Sequence, residues 1–212
     1  MDIVIPIFDR FTALDAVGPY EVLSRVPSCG VVFAATRRGP VRTDTGTLAI
    51  VADAALSELD HADVIVVPGG PGTRELMADT ELVEWVRDRH AATAWTTSVC
   101  TGSLLLGAAG LLDGLDATTH WGAVELLESC GARYVTDRYV VQGRIITAAG
   151  VSAGIDMALH LARLIAGQPV AEAIQLGIEY DPQPPFDRGS VAKADPATLE
   201  LVRHLRQTRA PA

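Results

Sequence analysis

Positive charge is scarce in this sequence, which carries 17 Lys and Arg against 26 Asp and Glu for a formal net charge of −9. Nucleic-acid binding uses clustered Lys and Arg to neutralise phosphates, so nucleic acid is not an expected partner. A secretory start is missing too, because Asp2 stands where a signal peptide is basic, and Asp9 and Arg10 interrupt the first apolar run. We therefore expect a cytoplasmic location.

Long hydrophobic runs and paired cysteines are also lacking. The longest stretch of low charge, Val99–Leu112, is too short to span a bilayer, so no membrane partner is expected. Cys29, Cys100 and Cys130 cannot all pair with one another and do not have the spacing of a metal site. We expect a reducing compartment and neither a metal nor a cofactor, so any chemistry must come from ordinary side chains.

What the sequence does contain is an alternation of short β-branched runs with longer helical segments, which predicts an α/β fold with a mostly parallel sheet. The predicted strands are Ile3–Phe8, Val31–Thr36, Val64–Pro68, Ala94–Val99 and Arg144–Ala148, with a hairpin around Asp44–Gly46. The predicted helices are Asp15–Val26, Thr80–Ala91, Thr101–Ala109, Gly122–Cys130, Ser152–Ile165 and Val170–Ile178. Residues 1–180 are assigned to this α/β unit, and 181–212 to a Pro-rich arm and surface helix of the same domain.

The strongest local signal is AWTTSVCTGSLLLGAAGLL, in which Cys100 separates a strand from a helix. Ligands bind beyond the carboxyl ends of parallel strands, which favours a nucleophile over a small buried hydrophobe at this position. The helix N-terminus should lower the pKa of the thiol and favour thiolate. Cys29 and Cys130 fit an inert role better.

Two other motifs reach the same sheet edge. The PGGPG turn places Gly69, Gly70 and Gly72 after a strand, and their amides, with the N–H of Thr101, are candidates for an oxyanion-type pocket. Because PGGPG has no Lys, it is not a phosphate loop. Asp15, in FTALDAVGPYEVL, is either a helix cap or a carboxylate that faces Cys100, and Glu21 is a rival for the second role.

Two further segments carry polar candidates. His120 and Trp121, in DATTHWGAVELL, begin a helix, and His120 either caps that helix or lines a pocket. Asp156, in the apolar run AGIDMALHLA, is interpreted as a buried acid with satisfied hydrogen bonds.

Taken together, LDAVGP, PGGPG, TSVCTGSLLLGAAGLL, ATTHW and GVSAGIDMAL resemble the ThiJ/PfpI superfamily across nearly the whole chain. TSVCTGS, ATTHW and the tail LGIEYDPQPPF are most similar to its isonitrile (isocyanide) hydratases. The resemblance implies a flavodoxin-like three-layer sandwich, a homodimer, and a carbon–nitrogen lyase that needs no cofactor. It also implies that Cys100 is the nucleophile with Asp15 and Thr101 beside it, and that Gly70 supplies a pocket amide.

The implied reaction hydrates an isonitrile to an N-substituted formamide through a thioimidate on Cys100, with Asp15 moving protons. An ionised Asp15 beside a thiolate should raise the pKa of both groups, so that they share one proton. Thr101 stands where superfamily proteases have His, which argues against a Cys-His protease dyad.

Two alternatives remain open at this point. The first is a ligand-binding or cysteine-oxidation sensor like the corresponding domain of AraC-type regulators, although only about thirty residues follow Tyr180, too few for a DNA-binding half. The second is glyoxalase-like action on small dicarbonyls by the same thiol.

Overall fold

The computed structural model describes residues 1–78 and 81–208. The strands in these ranges are Asp2–Pro6 (β1), Gly30–Ala35 (β2), Gly39–Arg42 (β3), Ala49–Ala52 (β4), Ala54–Ala55 (β5), Val64–Val67 (β6), Trp95–Val99 (β7), Asp116–Ala117 (β8), Arg133–Tyr134 (β9), Tyr139–Gln142 (β10) and Ile145–Ala148 (β11). The helices are Ala13–Leu23 (α1), Thr73–Leu76 (α2), Glu81–His90 (α3), Gly102–Ala108 (α4), Val124–Ser129 (α5), Ala153–Ala166 (α6), Gln168–Gly177 (α7) and Pro196–Thr208 (α8). Single 3-10 turns lie at Leu56–Glu58 and Trp121–Ala123.

The central sheet has seven strands in the order β10-β11-β7-β6-β1-β2-β5. Each neighbouring pair is parallel except β10 and β11, which form an antiparallel hairpin at one edge. The inner strand β6 is buried at every position, as the continuous VIVV run predicts for a strand covered on both faces. All five predicted strands are confirmed within a few residues, whereas the edge strand β10 was not predicted.

Helices cover both faces of this sheet. α1 packs against α6 and α6 against α7 on one side, while α4 packs against α2, α3 and α5 on the other. The apolar side chains of the strands are buried between these layers, so the fold is the predicted flavodoxin-like three-layer α/β sandwich.

The parallel order brings the carboxyl ends of β1, β6, β7 and β11 to one edge. The predicted hairpin is also present as antiparallel β3 and β4, and it docks on the loop after β1. There Phe11 bridges Thr43, and the Asp44 amide donates to the Phe11 carbonyl at 2.9 Å. This docking carries Asp44 to the same edge.

Several helix boundaries differ from the prediction. The segment predicted as a helix from Gly122 begins as a 3-10 turn, and α5 starts only at Val124. The predicted start of the helix observed as α3, Thr80, lies outside the described residues, and so does the end of the tail, 209–212. Within the described part of the chain, no helix has the length and apolar character to cross a membrane.

Candidate active site

Cys100 occupies a tight turn between β7 and α4 in which the cysteine itself takes a left-handed conformation, with φ of 57°. Its N–H donates to the carbonyls of Ala148 at 3.0 Å and Ala149 at 2.9 Å. Its carbonyl accepts from the hydroxyls of Ser103 and Thr119, both at 3.1 Å. Such a conformation costs free energy in a non-glycine residue and persists only where the surroundings fix it, as these four hydrogen bonds do.

The Asp15 carboxyl group is fully buried beside this turn. Its Oδ2 accepts from the Gly69 N–H at 2.9 Å, whereas Oδ1 has no hydrogen-bond partner of normal geometry among the described residues. The neighbouring side chain is the Cys100 thiol. Asp15 is therefore not the helix cap, because Thr12 holds the N-cap position of α1 and the Asp15 carboxyl accepts from Gly69 instead. The rival Glu21 instead forms an ion pair with Arg25 at 2.8 Å on the surface.

Burial dominates the proton affinity of both members of this pair. It raises the pKa of Asp15 to about 7, against the lowering effects of the Gly69 N–H and the Cys100 contact, while the Asp44 charge raises it further. Burial and the Asp15 charge raise the pKa of Cys100 to about 12. Both pKa values rise as predicted, but for Asp15 the cause is burial and not the thiol, whose contact lowers the pKa. The Thr101 amide at the start of α4 lowers the pKa of Cys100, as expected for a helix N-terminus, but burial outweighs it, so the predicted preference for thiolate is wrong.

Two backbone amides face the sulfur, those of Thr101 and Val151, and both favour its negative form. Val151 lies in the loop between β11 and α6, and its φ of 34° is rare for a β-branched residue. This strained loop brings the Val151 N–H to the thiol, so a pocket for developing negative charge is formed by Thr101 and Val151.

The glycine turn at residues 69–72 does not form the predicted oxyanion-type pocket. The Gly70 amide donates to Thr101 Oγ1 at 2.8 Å, and the Gly72 amide to the Arg10 carbonyl at 3.4 Å. A Cβ on Gly69, whose amide binds Asp15, would lie 2.5 Å from the Thr101 nitrogen. The turn therefore holds Asp15 and Thr101 in place, and these amides are occupied rather than directed into a cavity.

Cys100 opens on a cavity of about 520 Å³. Of the predicted site residues, Gly70, Thr101 and His120 line it together with Cys100. Asp15 and Gly69 are not part of its lining, and Trp121 lines a neighbouring cavity instead. Sequence reasoning missed five residues of the lining, namely Thr12, Asp44, Pro71, Arg74 and Val151. Val151 follows the carboxyl end of a predicted strand, so the rule that selected Cys100 also signals its position.

His120 combines the two roles that the sequence left open. Its Nδ1 accepts from the Gly122 N–H at 3.0 Å and so caps the 3-10 turn, and its ring lines the cavity. The ring centroids of His120 and Trp121 are 5.3 Å apart. His120 thus forms the wall between the Cys100 cavity and the neighbouring one.

The other cysteines and Asp156 lie outside the Cys100 cavity. The Cys130 thiol donates to the Leu126 carbonyl at 3.4 Å, and Cys29 is half-buried away from the candidate site. Asp156 pairs with Arg138 and also binds Tyr180, so it is satisfied as predicted, although it is only partly buried.

The chain is similar to known proteins over most of its length. The model of the DJ-1/PfpI family matches residues 1–164, which is more than half of the chain. The chain belongs to the DJ-1/PfpI family. A solved ThiJ/PfpI family protein from Pseudomonas syringae superimposes with a TM-score of 0.92 at 36% identity, covering 98% of this chain and 87% of that one.

The named relatives of this chain include an enzyme and a transcriptional regulator. The chain is 43% identical to an isonitrile hydratase from Pseudomonas putida over 197 residues, which is 93% of this chain and 86% of that protein. It is 38% identical over 138 residues to the transcriptional regulator CdhR from Pseudomonas aeruginosa, 63% of this chain but only 40% of the regulator. Similarity over nearly the full length of both chains favours the hydratase for comparison.

Proposed function

We propose that this protein is a cysteine-dependent isonitrile hydratase, a carbon–nitrogen lyase that forms N-substituted formamides. The observation that carries the proposal is the buried Asp15–Cys100 pair, which holds transferable protons at the floor of a cavity. Similarity to the P. putida isonitrile hydratase over 93% of the chain supports it.

The first step is addition of the thiol across the terminal carbon of the isonitrile. Asp15, with a pKa of about 7, is ionised in part at neutral pH and can accept the thiol proton. It delivers this proton to the isonitrile carbon while the sulfur forms a bond to the same carbon, which gives a thioimidate. The amides of Thr101 and Val151 stabilise the negative sulfur between these two events.

The second step is hydrolysis of the thioimidate. Water adds to the carbon bound to sulfur, the nitrogen takes up a proton, and the carbon–sulfur bond breaks to release the formamide. Asp15 carries one proton of the water to the nitrogen and, as the carbon–sulfur bond breaks, carries the other to the sulfur, so the thiol and the carboxylate are both regenerated. The balance is one isonitrile and one water consumed for one formamide, with neither a metal nor a redox cofactor in the scheme.

The other predicted site residues support this pair. Gly69 orients Asp15 through its 2.9 Å hydrogen bond, and Gly70 fixes the Thr101 hydroxyl at 2.8 Å. His120 bounds the cavity above the thiol, and we assign it and Trp121 to substrate binding.

The test is formamide formation from a simple isonitrile by the purified protein, followed by chromatography. Cys100→Ala should lose activity by roughly 10⁴-fold or more, since the nucleophile carries the covalent step. Cys130→Ala is the matched control, because it removes a free thiol outside the cavity, and it should retain wild-type turnover. Mass spectrometry of the quenched reaction should find the isonitrile added to the Cys100 peptide.

Absence of turnover with several isonitriles, from folded protein with a free Cys100 thiol, would refute the proposal. Glyoxalase action on a small dicarbonyl would be tested next, since the chain is 27% identical to the glutathione-independent glyoxalase DJR-1.2 of Caenorhabditis elegans over 65% of its length. Loss of both activities would favour a sensor role.

We also propose a homodimer in a reducing, cytoplasmic location. None of the described α8 side chains is buried, and Leu201 and Leu205 are more than half exposed on this helix, which supports packing against a second copy. The free state of all three cysteines supports a reducing compartment. Light scattering of the full chain should give twice the 22.4 kDa of one copy.

A further inference from the structure

A second cavity, of about 460 Å³, adjoins the Cys100 cavity, because His120 and Val151 line both. Its volume is within the range of small-molecule sites. We call it the side cavity. Besides the two shared residues it is bounded by the aromatic side chains of Trp121 and Tyr134 and by arm residues 189–192.

The two cavities differ in the groups that face a ligand. Away from the sulfur, the Cys100 cavity is bounded by Asp44 and Arg74, whose charges would lose hydration against an apolar group. The side cavity has a charged residue, Arg138, in its lining, but the guanidinium of that residue is paired with Asp156. It also offers Trp121, Tyr134 and Val191, whose faces suit a planar apolar group. An apolar substituent is therefore favoured in the side cavity.

The wall of the side cavity is held in place by hydrogen bonds. Arg138 forms an ion pair with Asp156 and donates to Ser152 Oγ at 3.1 Å. Ser152 directly follows Val151, whose amide faces the sulfur. The same network therefore fixes the side cavity and the loop that contacts the reacting thiol.

An isonitrile has its carbon at one end of a linear group, so the substituent on nitrogen extends away from the sulfur to which the carbon binds. We propose that this substituent enters the side cavity and contacts Trp121 and Tyr134, so that the preferred substrates are aromatic isonitriles. The inference rests on the proposed function, because it places the substrate of that reaction.

The experiment compares kcat/KM for phenyl isonitrile and methyl isonitrile in each variant, relative to wild type. Val191→Arg, which narrows the side cavity from the arm, should lower the value for phenyl isonitrile about tenfold or more and that for methyl isonitrile less than twofold. Trp121→Ala should lower the ratio of kcat/KM for phenyl isonitrile to that for methyl isonitrile about fivefold. Phe186→Ala is the control on the same arm, since Phe186 is exposed and outside the lining, and it should change neither value.

Equal effects of Val191→Arg on both isonitriles, or no effect on either, would overturn the assignment of the substituent to the side cavity. The proposed hydration activity would still stand. If no isonitrile is hydrated, the proposed function fails. Calorimetry of N-phenylformamide binding to wild type and to Val191→Arg then tests separately whether the side cavity binds an aromatic group. Binding that Val191→Arg abolishes would support an aromatic site. Unchanged binding, or no binding to wild type, would overturn it.

Discussion

Cys100 and Cys130 lie at opposite kinds of chain junction, and the contrast shows what prepares a thiol for chemistry. Cys130 ends α5, donates its thiol proton to a carbonyl of its own helix, and leaves the left-handed conformation to Gly131, with φ of 85°. Cys100 takes the left-handed conformation itself, and its sulfur faces the amide of the next residue, Thr101, and the amide of Val151 from a distant loop. Cys130 therefore lies at an unstrained helix end, whereas Cys100 lies in a strained turn that surrounding hydrogen bonds hold in place.

Burial alone does not separate the two thiols. It raises the pKa of Cys130 as well as that of Cys100. The difference is that, among the residues that the structure describes, Cys100 has a buried carboxyl partner and Cys130 does not. This partner is Asp15 of α1, whose own pKa is raised into the neutral range. The comparison teaches that reactivity here depends on a coupled acid rather than on a lowered thiol pKa.

Within this comparison of the two thiols, the largest expected effect comes from removing the acid that is coupled to Cys100. Asp15→Asn keeps the shape of the side chain but cannot accept the thiol proton, so kcat/KM for isonitrile hydration should fall by about 10²- to 10⁴-fold. In wild type, kcat/KM should decline as the pH falls below about 7, where Asp15 becomes protonated. Rates and pH profiles from initial velocities provide the measurement.

Glu21→Gln is the matched control for this change, because Glu21 is on the same helix but pairs with Arg25 at the surface. Its turnover should stay within about twofold of wild type, as expected for an exposed ion pair. Equal losses in Asp15→Asn and Glu21→Gln would break the contrast between a coupled and an uncoupled carboxylate.

The next effect is on stability. The folded protein holds the Asp15 proton up to about pH 7, whereas the unfolded chain releases it near 3.8, so wild-type stability from this group falls as the pH rises between these values. As the pH is raised from 4 to 8, the free energy of unfolding of Asp15→Asn minus that of wild type should therefore increase by an amount on the order of 4 kcal/mol. Urea titrations of both proteins at the two pH values measure this difference, and parallel pH profiles would contradict it.

The smallest effect concerns the thiols themselves. Removing the Asp15 charge should lower the pKa of Cys100, so that Asp15→Asn increases the rate of iodoacetamide alkylation at Cys100 by roughly threefold to tenfold at pH 8. The Cys130 peptide in the same digest is the internal control and should react at an unchanged rate. A variant that hydrates slowly but alkylates faster would show that Asp15 acts as a proton carrier and not as a structural support.

Much of this arrangement follows from local pattern. The run TTSVCTG predicted a strand, a cysteine and a helix in succession, and the parallel alternation predicted that this cysteine and the segment after β1 share an edge. Asp44 and Arg74 were not predicted, since Asp44 reaches the cavity only because its hairpin docks on Phe11. A contact between residues more than thirty positions apart leaves no periodic signal in either segment.

The sequence by itself therefore determined the layers of the fold and the sheet edge that Cys100 shares with the segment after β1, because hydrophobic period and turn residues are local properties. It left Asp15 and Glu21 as rival partners of Cys100, and only the family resemblance favoured Asp15. The tertiary structure alone decided the protonation of Asp15 and Cys100, the use of the Gly69 and Gly70 amides within the protein, and the contact of the Val151 amide with the sulfur. These depend on how completely water is excluded and on which atoms of distant segments meet, and both are set only when the layers pack together.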